Sequence, residues 1–321
     1  MANGQNPPRD LHYVPQLLLR RFVGADGTLW VYDLEKEKVY PARPETAGFV
    51  RDLYSRTGAD GAPDHAHVEK LLSERVDGPG DASIRRLLQH ETLGSDWNDF
   101  LIFVAAQLQR TPAFFDRMST MMQPSAQEML ERMARHDPRF REGVRQSALA
   151  RGESEEEIEK MLQAAGSGGF RVKPTKDFVI SMSLAMIYGI VEDLRQMEWQ
   201  IATLDETDPD FVVGDHPVLP VVPKGEPVGL RHPEIDLKLP LSTRVAAIAN
   251  WDLKTAYAKF RPVAADQINE ETMRYTKRFL FASYRSEELL MKAKRLHGTG
   301  PKVYVRRVKT ETGLAIVHEY R

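Results

Sequence analysis

The chain has 321 residues, of which 42% are hydrophobic and 28% are charged, and its formal net charge is −2. This composition is typical of a folded globular protein with a full hydrophobic core. It provides no global positive field that would attract nucleic acid or an anionic membrane. Cysteine is absent, which excludes disulfides, thiolate metal sites and cysteine nucleophiles.

The N-terminus, MANGQNPPRD, is polar and contains two prolines, and we predict a disordered tail over residues 1–10. It lacks the apolar core of a signal peptide, and no apolar run approaches the roughly 20 residues of a membrane span. We therefore expect a cytoplasmic protein without a membrane partner.

The first apolar segment, YVPQLLLRRF, predicts a helix with Pro15 in its first turn. On such a helix His12, Gln16 and Arg20 would share one stripe, because they follow at i, i+4 and i+8. The stripe offers an acid/base group, an amide and an anion-binding guanidinium. An exposed helix edge beside a buried face is the alternative interpretation. The alternation in TLWVYDLEKEKVYPA then predicts a β-hairpin.

From about residue 64 to 195 the pattern is mostly helical. HVEKLLSERV and ASIRRLLQHE predict two short helices that DGPGD separates, and Pro112 ends or kinks the long helix that begins at SDWNDF. Residues 123–170 are more polar and read as an inserted helical hairpin, with a capping box from Ser154 to Glu157. KDFVISMSLAMIYGIVEDL is the most apolar helix and is predicted to lie in the core.

After Arg195 the pattern changes to short strands separated by turns, with helices near 265–277 and 286–296. We therefore predict an α+β fold: an N-terminal helix and β-hairpin, a central helical body, and a C-terminal, mostly antiparallel sheet with flanking helices. Residues 11–321 are expected to form a single domain that carries the 123–170 insertion.

Polar residues near the end of the long helix form a second candidate group. In FVAAQLQRTP, Gln107 and Arg110 share a face and follow an apolar run. A guanidinium that emerges there could bind an anion or a carboxylate in bidentate fashion. Alternatively, Arg110 pairs with Glu69 or Glu74 and joins two helices.

A third candidate is the turn in DFVVGDHPV, where a buried strand runs into Gly214, Asp215, His216 and Pro217. Asp215 could act as a general base or metal ligand there, with His216 as a second ligand. A tight turn in which Asp215 caps its own backbone is the structural alternative.

Known catalytic signatures are missing from the chain. It has no P-loop, no HExxH zinc helix and no GxSxG elbow, and its glycine-rich segments lack dinucleotide spacing. We therefore expect no nucleotide or flavin cofactor.

The segment HYVPQLLLRRF followed by GTLWVYDLEKEKVY resembles the bacterial Domain of Unknown Function 4238 family, whose members begin with His-Tyr-Val-Pro-Gln and a similar hairpin. The resemblance continues through VEKLLSERV, FVAAQLQRTP, DFVVGDHPV, LPLS and INEETMRYTKRFLFAS. It implies no particular reaction. It does imply that seven polar positions form a common pocket: His12, Gln16, Glu74, Gln107, Arg110, Asp215 and Asn269. The family has Thr or Ser and then Asp-Asn-Pro where this chain has Gly214 to Pro217, so a hydroxyl is lost and an imidazole is gained.

These residues suggest a metal-assisted hydrolase that acts on a phosphodiester or another anionic substrate, such as a nuclease or nucleotide hydrolase in bacterial defence. In this hypothesis His12, Glu74 and Asp215 are catalytic. A divalent Mg, Mn or Zn ion is held by His12, Asp215 and His216. The substrate is bound by Gln16, Arg20, Gln107, Arg110 and Asn269.

If the substrate is nucleic acid, the basic segments RRF, RRLL and VYVRRVK should flank the site. The alternative is a non-catalytic module that senses a small anion or a peptide with the same pocket. The sequence leaves the oligomeric state open.

Overall fold

The computed structural model describes residues 10–57, 63–64, 67–226, 229–252, 257–259, 262–301, 303–310 and 313–320. It confirms the α+β class: helices fill the middle of the chain and the strands pair mostly antiparallel. The predicted tail lies outside the described residues except for Asp10, which belongs to the first strand. Within the described ranges, no helix has both the length and the apolar character needed to cross a membrane.

The helices and strands follow one another along the chain with few long gaps. The helices are α1 Gln16–Leu19, α2 His67–Leu72, α3 Gly78–Leu88, α4 Trp97–Gln109, α5 Pro112–His136, α6 Pro138–Leu149, α7 Glu155–Gly166, α8 Lys176–Gln196, α9 Pro262–Tyr275 and α10 Glu287–Leu296. The strands are β1 Asp10–His12, β2 Leu29–Asp33, β3 Lys38–Ala42, β4 Phe49–Arg51, β5 Arg56–Thr57, β6 Pro63–Asp64, β7 Glu198–Thr203, β8 Val213–Gly214, β9 Leu219–Val221, β10 Asp236–Pro240, β11 Val245–Asn250, β12 Tyr257–Lys259, β13 Phe279–Ala282, β14 Val303–Thr310 and β15 Gly313–Tyr320.

The chain divides into two compact units. The larger unit takes the described residues up to 115 and within 180–302, and the smaller takes 116–179 with 303–319. The predicted insertion, 123–170, falls within the smaller unit, where α6 and α7 pack around Ala148, Ile158 and Leu162. The predicted capping box of α7 is present: the Ser154 hydroxyl accepts from the Glu157 N–H, and the Glu157 carboxylate accepts from the Ser154 N–H.

Two sheets form the framework of the larger unit. One has the order β3-β2-β13-β8, and it joins the predicted N-terminal hairpin to a strand from near the C-terminus. The other has the order β12-β7-β11-β10-β9, with β12 parallel to β7 and the other pairs antiparallel. Sequence reasoning missed β10 and β12. The main core lies between these strands and the helices α2, α3, α4 and α8.

The N-terminal helix differs from its prediction in a way that matters for the site. Helical structure begins only at Gln16, after Pro15, and tightens into a 3₁₀ turn over Arg20–Phe22. His12 lies instead on β1, which pairs with β4 through the register His12↔Phe49. Pro15 is the N-cap of this helix, and its carbonyl accepts the first helical N–H bonds, from Leu18 and Leu19.

DGPGD does not separate two helices, contrary to the prediction. α2 continues through a π-helical turn, Ser73–Asp77, directly into α3. The Gly78 N–H bonds the Ser73 carbonyl, five residues back. This wider turn accommodates Pro79, which has no N–H to donate and whose ring would crowd the carbonyl four residues earlier. Gly80 then allows close packing on α4, since a Cβ there would lie 2.7 Å from the Phe103 ring.

α8 is less buried than its apolar sequence predicts. One face enters the core through Ile180, Ile187 and Leu194. The other face is open, and Tyr188 is 78% exposed. High apolar content therefore does not by itself place this helix in the core.

Candidate functional site

His12 begins the site from strand β1. Its Nε2 lies 3.4 Å from the Gln16 side-chain nitrogen, and its ring lies against Phe49 with centroids 5.8 Å apart. The Gln16 oxygen in turn accepts from Arg20 at 3.1 Å. The predicted group of His12, Gln16 and Arg20 is thus a chain of contacts, although it is built by a strand followed by a helix and not by one helical stripe.

Arg110 lies at the end of α4 and is 4% exposed. Its Nη1 donates to the carboxylate of Asp77 at 2.9 Å. Asp77 is the last residue of the π turn, so the helix pair joined there is the one formed by α4 and the α2–α3 segment. The Tyr54 hydroxyl donates to the Arg110 carbonyl at 2.8 Å and fixes the end of α4. The arginine therefore bridges to a carboxylate, but to neither Glu69 nor Glu74.

The carboxyl groups around Arg110 have shifted pKa values. Burial raises the pKa of Asp77, although the guanidinium of Arg110 and the imidazole of His12 both act to lower it. Burial also raises the pKa of Glu69, against the charge of Arg110. His12, Asp77 and Arg110 are thus electrostatically coupled, and carboxyl groups with a raised pKa are typical of acid/base sites.

Three polar side chains near the end of α4 contribute six atoms without a hydrogen-bond partner among the described residues. These atoms are both amide atoms of Gln107, both amide atoms of Gln109, and Nε and Nη2 of Arg110. Gln107 is fully buried and Gln109 is 2% exposed. A buried polar group without a partner costs about 1–3 kcal/mol, so such a concentration requires an explanation. A polar ligand that bonds these atoms would supply one.

A cavity lies beside two of these residues. Its lining includes Gln109, Arg110 and Tyr54 together with apolar side chains of α2, α4 and α8. It contains about 270 Å³ of empty space, but only about 10 Å³ can be occupied by the centre of a water molecule. That is room for about one water. Any larger ligand of Arg110 therefore has to approach from another side or displace part of the wall.

Asp215 serves the backbone in this structure. Its carboxylate accepts the N–H groups of Lys277, Arg278 and Phe279 at 2.6–2.9 Å. Burial raises its pKa, and these three donors act in the opposite direction. The Tyr13 hydroxyl lies within electrostatic range of both Asp215 and Tyr54, and burial raises the pKa of that hydroxyl as well. Asp215 is thus bonded to backbone N–H groups, and Arg110 is paired with Asp77 instead.

Two other predicted site residues, His216 and Asn269, also have structural contacts. His216 is buried and meets Tyr275 edge to face, with ring centroids 6.2 Å apart. Asn269 accepts from the Val212 N–H and donates to the Asp210 carbonyl, both at 3.0 Å, and so ties α9 to the segment that precedes β8.

The packing around Gly214 explains why this position has no side chain, although the family resemblance implies a hydroxyl residue there. A Cβ at Gly214 would lie 2.3 Å from the Thr276 hydroxyl oxygen, which occupies that space. The Thr276 hydroxyl donates to the Thr272 carbonyl at 2.8 Å. In this chain the hydroxyl of Thr276, the residue after α9, therefore lies beside the turn, whereas the family resemblance implies a hydroxyl on the turn itself.

Two predicted site residues lie at the surface. Glu74 has a 61% exposed side chain and lies 3.8 Å from Lys70, its partner one turn earlier. Arg20 is 59% exposed and pairs with Glu45 at 3.2 Å. The π turn explains the position of Glu74, since it directs Asp77 inward and leaves Glu74 outside.

The proposed nucleic-acid groove is occupied by ion pairs where the structure describes it. Arg21 pairs with Asp81 at 2.7 Å, and Arg85 pairs with the same carboxylate at 3.2 Å. Arg86 contacts both Glu91 and Asp96. The side chains of VYVRRVK that this prediction needs lie outside the described residues.

The described residues contain no group of three or more histidine, aspartate or glutamate side chains placed to hold a metal ion. Both oxygens of Asp215 already accept backbone N–H groups. The ligand set His12, Asp215 and His216 is therefore not supported by the described geometry.

Asp77 and Gln109 are the site residues that sequence reasoning missed. Around Asp77, the residues Val68, Leu72, Val76 and Gly80 are buried at intervals of four. This spacing also occurs on one stripe of an ordinary α-helix, so on its own it does not single out Asp77.

No curated protein and no solved structure matches the chain. A family model described as "Protein of unknown function (DUF4238)" matches residues 12–286. This range contains the contacts of His12, Asp77, Arg110 and Asp215 described above, and it covers most of the sequence. The chain belongs to the DUF4238 family.

Proposed function

We propose that this protein is a hydrolase that binds an anionic substrate, a phosphodiester or a related ester, on Arg110, uses His12 for proton transfer and uses Asp77 to stabilise the protonated His12. The observation that carries the proposal is the set of six buried polar atoms on Gln107, Gln109 and Arg110 without partners among the described residues. Natural proteins rarely keep such atoms unless a ligand or water bonds them.

Arg110 suits the recognition of an anion. Only Nη1 bonds Asp77, and Nε and Nη2 form the fork that binds two oxygens of a phosphate or carboxylate. The guanidinium is almost completely buried, so its attraction for an anion is screened less than it would be at the surface. The amide of Gln107 can donate to one substrate atom and accept from another.

In the proposed reaction, His12 transfers the protons and Asp77 supports it. Water attacks the phosphorus or acyl centre, and His12 accepts the proton that the water loses. The Asp77 carboxylate stabilises the imidazolium that forms, which agrees with the favourable coupling between them. The bond to the leaving oxygen breaks, and that oxygen takes the proton from His12. Arg110 meanwhile neutralises the negative charge that develops on the non-bridging oxygens. No step is assigned to a metal ion, because the described side chains do not converge on one.

The test uses bis(4-nitrophenyl) phosphate, whose hydrolysis releases coloured 4-nitrophenolate. Asp77→Asn and Glu74→Gln are matched variants, since each removes one carboxylate from the same π turn, one partly buried and one exposed. We expect Asp77→Asn and His12→Gln to lower kcat at least 100-fold and Glu74→Gln to leave it within twofold. The reverse order would restore Glu74 as the catalytic residue and overturn this assignment.

The sensing module remains the second candidate, because the same Arg110 atoms would recognise an anion without a reaction. Dimethyl phosphate, a diester without an activated leaving group, separates the two by calorimetry. Binding that Arg110→Met abolishes, with no turnover of either diester, would favour the sensor. Absence of both binding and turnover would refute the proposed site.

A further inference from the structure

A second cavity lies at the opposite end of α4 from Arg110. It measures about 340 Å³, which is within the range of small-molecule sites. Trp97, which lines it, is 13 residues before Arg110, so at 1.5 Å per residue the two sites are about 20 Å apart. Its lining residues are Leu87, Glu91, Thr92, Leu93, Gly94, Trp97, Trp199 and Ile201. None of them belongs to the site of the proposed hydrolase.

Two of the residues that line this cavity are tryptophans, and their indole rings are in contact with each other. Trp97 and Trp199 are nearly perpendicular, at 85°, with ring centroids 5.6 Å apart. Phe100 supports both from the core side, at 5.2 Å from Trp97 and 5.3 Å from Trp199. Both indoles remain only partly buried although each is held by aromatic neighbours. The rings therefore form a fixed aromatic corner that is open to the cavity.

The polar groups of the lining select the charge of a ligand. The lining side chains include one carboxylate, that of Glu91, and no lysine, arginine or histidine. The Trp199 N–H already donates to the Leu194 carbonyl at 2.9 Å, so it is not available to an acceptor on a ligand. An anion would thus meet aromatic faces and a carboxylate, both of which repel it. A cation would be attracted by both.

The charge of Arg86 does not oppose the binding of a cation in this cavity. Arg86 is close in sequence to the lining residues, but its charge is directed at Glu91 and Asp96. It also donates to the Thr92 carbonyl at 2.8 Å. These contacts hold the 91–96 loop against α3. The charge of Arg86 is thus directed at these two carboxylates, and its side chain is not part of the cavity lining.

We infer that this cavity, which we name the tryptophan pocket, binds a small organic ammonium ion of the choline type, with the alkylated nitrogen against Trp97 and Trp199 and its charge toward Glu91. An alkylated ammonium combines an apolar surface, which suits the leucine and isoleucine walls, with a diffuse positive charge, which suits the indole faces. Primary amines and guanidinium groups need several hydrogen-bond acceptors, whereas the lining side chains offer these only at Glu91 and Thr92 and are otherwise apolar or aromatic.

The experiment compares choline with 3,3-dimethyl-1-butanol, the neutral molecule in which carbon replaces the nitrogen. Each ligand has one NMR signal from nine equivalent methyl protons, so its line broadening by the full-length protein reports binding in the same way for both. Ionic strength is kept constant with sodium chloride. We expect choline to bind at least fivefold more tightly than the alcohol.

Variants separate the contributions of the ring and the carboxylate. Trp97→Leu should abolish choline binding, and Glu91→Gln should weaken it three- to tenfold while it leaves the alcohol unchanged. Trp30→Leu is the matched control, because Trp30 lies on β2 and lines no part of the pocket. Equal binding of choline and the alcohol, no binding of choline, or retention of binding in Trp97→Leu would each overturn the inference. These outcomes do not depend on turnover at Arg110, so they are independent of the proposed hydrolase.

Discussion

Gln107 provides the sharpest test of whether the buried polar atoms near Arg110 exist for a ligand. Its side chain is fully buried, and neither amide atom has a partner among the described residues. Methionine has a similar shape and volume and no hydrogen-bonding requirement. Gln107→Met should therefore remove a cost of about 1–3 kcal/mol that the wild-type amide imposes on the folded state without ligand.

The expected result is an increase in the free energy of unfolding of about 1–3 kcal/mol, together with loss of diester binding. A gain of 1 kcal/mol raises Tm by roughly 2–4 °C in a domain of 150–250 residues, so we expect a rise of at least about 2 °C. Gln89→Met, at an exposed position, is the control and should change stability by less than about 0.5 kcal/mol.

Urea denaturation of the two variants and the wild type measures these differences. Destabilisation by Gln107→Met would mean that the amide is satisfied within the fold, and the reasoning that assigns it to a ligand would then fail. Stabilisation combined with unchanged diester binding would place the ligand elsewhere.

Three further outcomes follow from the same contacts. A double-mutant cycle of Arg110→Met and Asp77→Asn should give a coupling energy of about 1.5–3 kcal/mol in urea denaturation, and a value near zero would contradict the buried pair. Gly214→Ala should cost about 1–3 kcal/mol through the clash with the Thr276 hydroxyl. The added change Thr276→Ala should recover part of that cost, and no recovery would argue against the clash. Burial raises the pKa of Asp33, but hydrogen bonds from the Arg278 side chain and the Lys36 N–H outweigh burial. They hold the pKa below its ordinary value. The ionised Asp33 therefore adds to the free energy of unfolding at neutral pH, and this stabilisation is lost as the pH falls below about 4. The stability difference between wild type and Asp33→Asn should shrink between pH 7 and pH 3, and a difference that grows would have the wrong sign.

The sequence was informative where a pattern repeats and where a residue has one physical role. Alternation identified the β2–β3 hairpin, and the proline at 112 correctly separated α4 from α5. The position of Arg110 after an apolar run predicted a guanidinium at a helix end near the core, and Arg110 lies there, buried and paired with Asp77.

The sequence failed where local geometry departs from the ideal helix. The π turn places Asp77 at Arg110, whereas the sequence analysis took Glu74 from the family resemblance and as a possible partner of Arg110. His12 was placed on a helix because the apolar spacing continues back past Pro15, whereas pairing with β4 holds it in a strand. Such long-range pairing has no local signature.

The turn at Asp215 shows a different limit. A carboxylate after a buried strand fits both a catalytic residue and a backbone clamp, and only the three N–H donors from residues 277–279 distinguish them. These donors are more than 60 residues away in the chain. No spacing rule connects them to the turn.

In the proposed function the guanidinium of Arg110 binds the anionic group of the substrate. The most direct measurement is the NMR resonance of the Arg110 side-chain Nε–H during titration with dimethyl phosphate, assigned by comparison with Arg110→Lys. We expect a saturable downfield shift of this resonance, which Gln107→Met weakens and Glu74→Gln leaves unchanged. An Arg110 resonance that does not move, while dimethyl phosphate binds elsewhere on the protein, would contradict it.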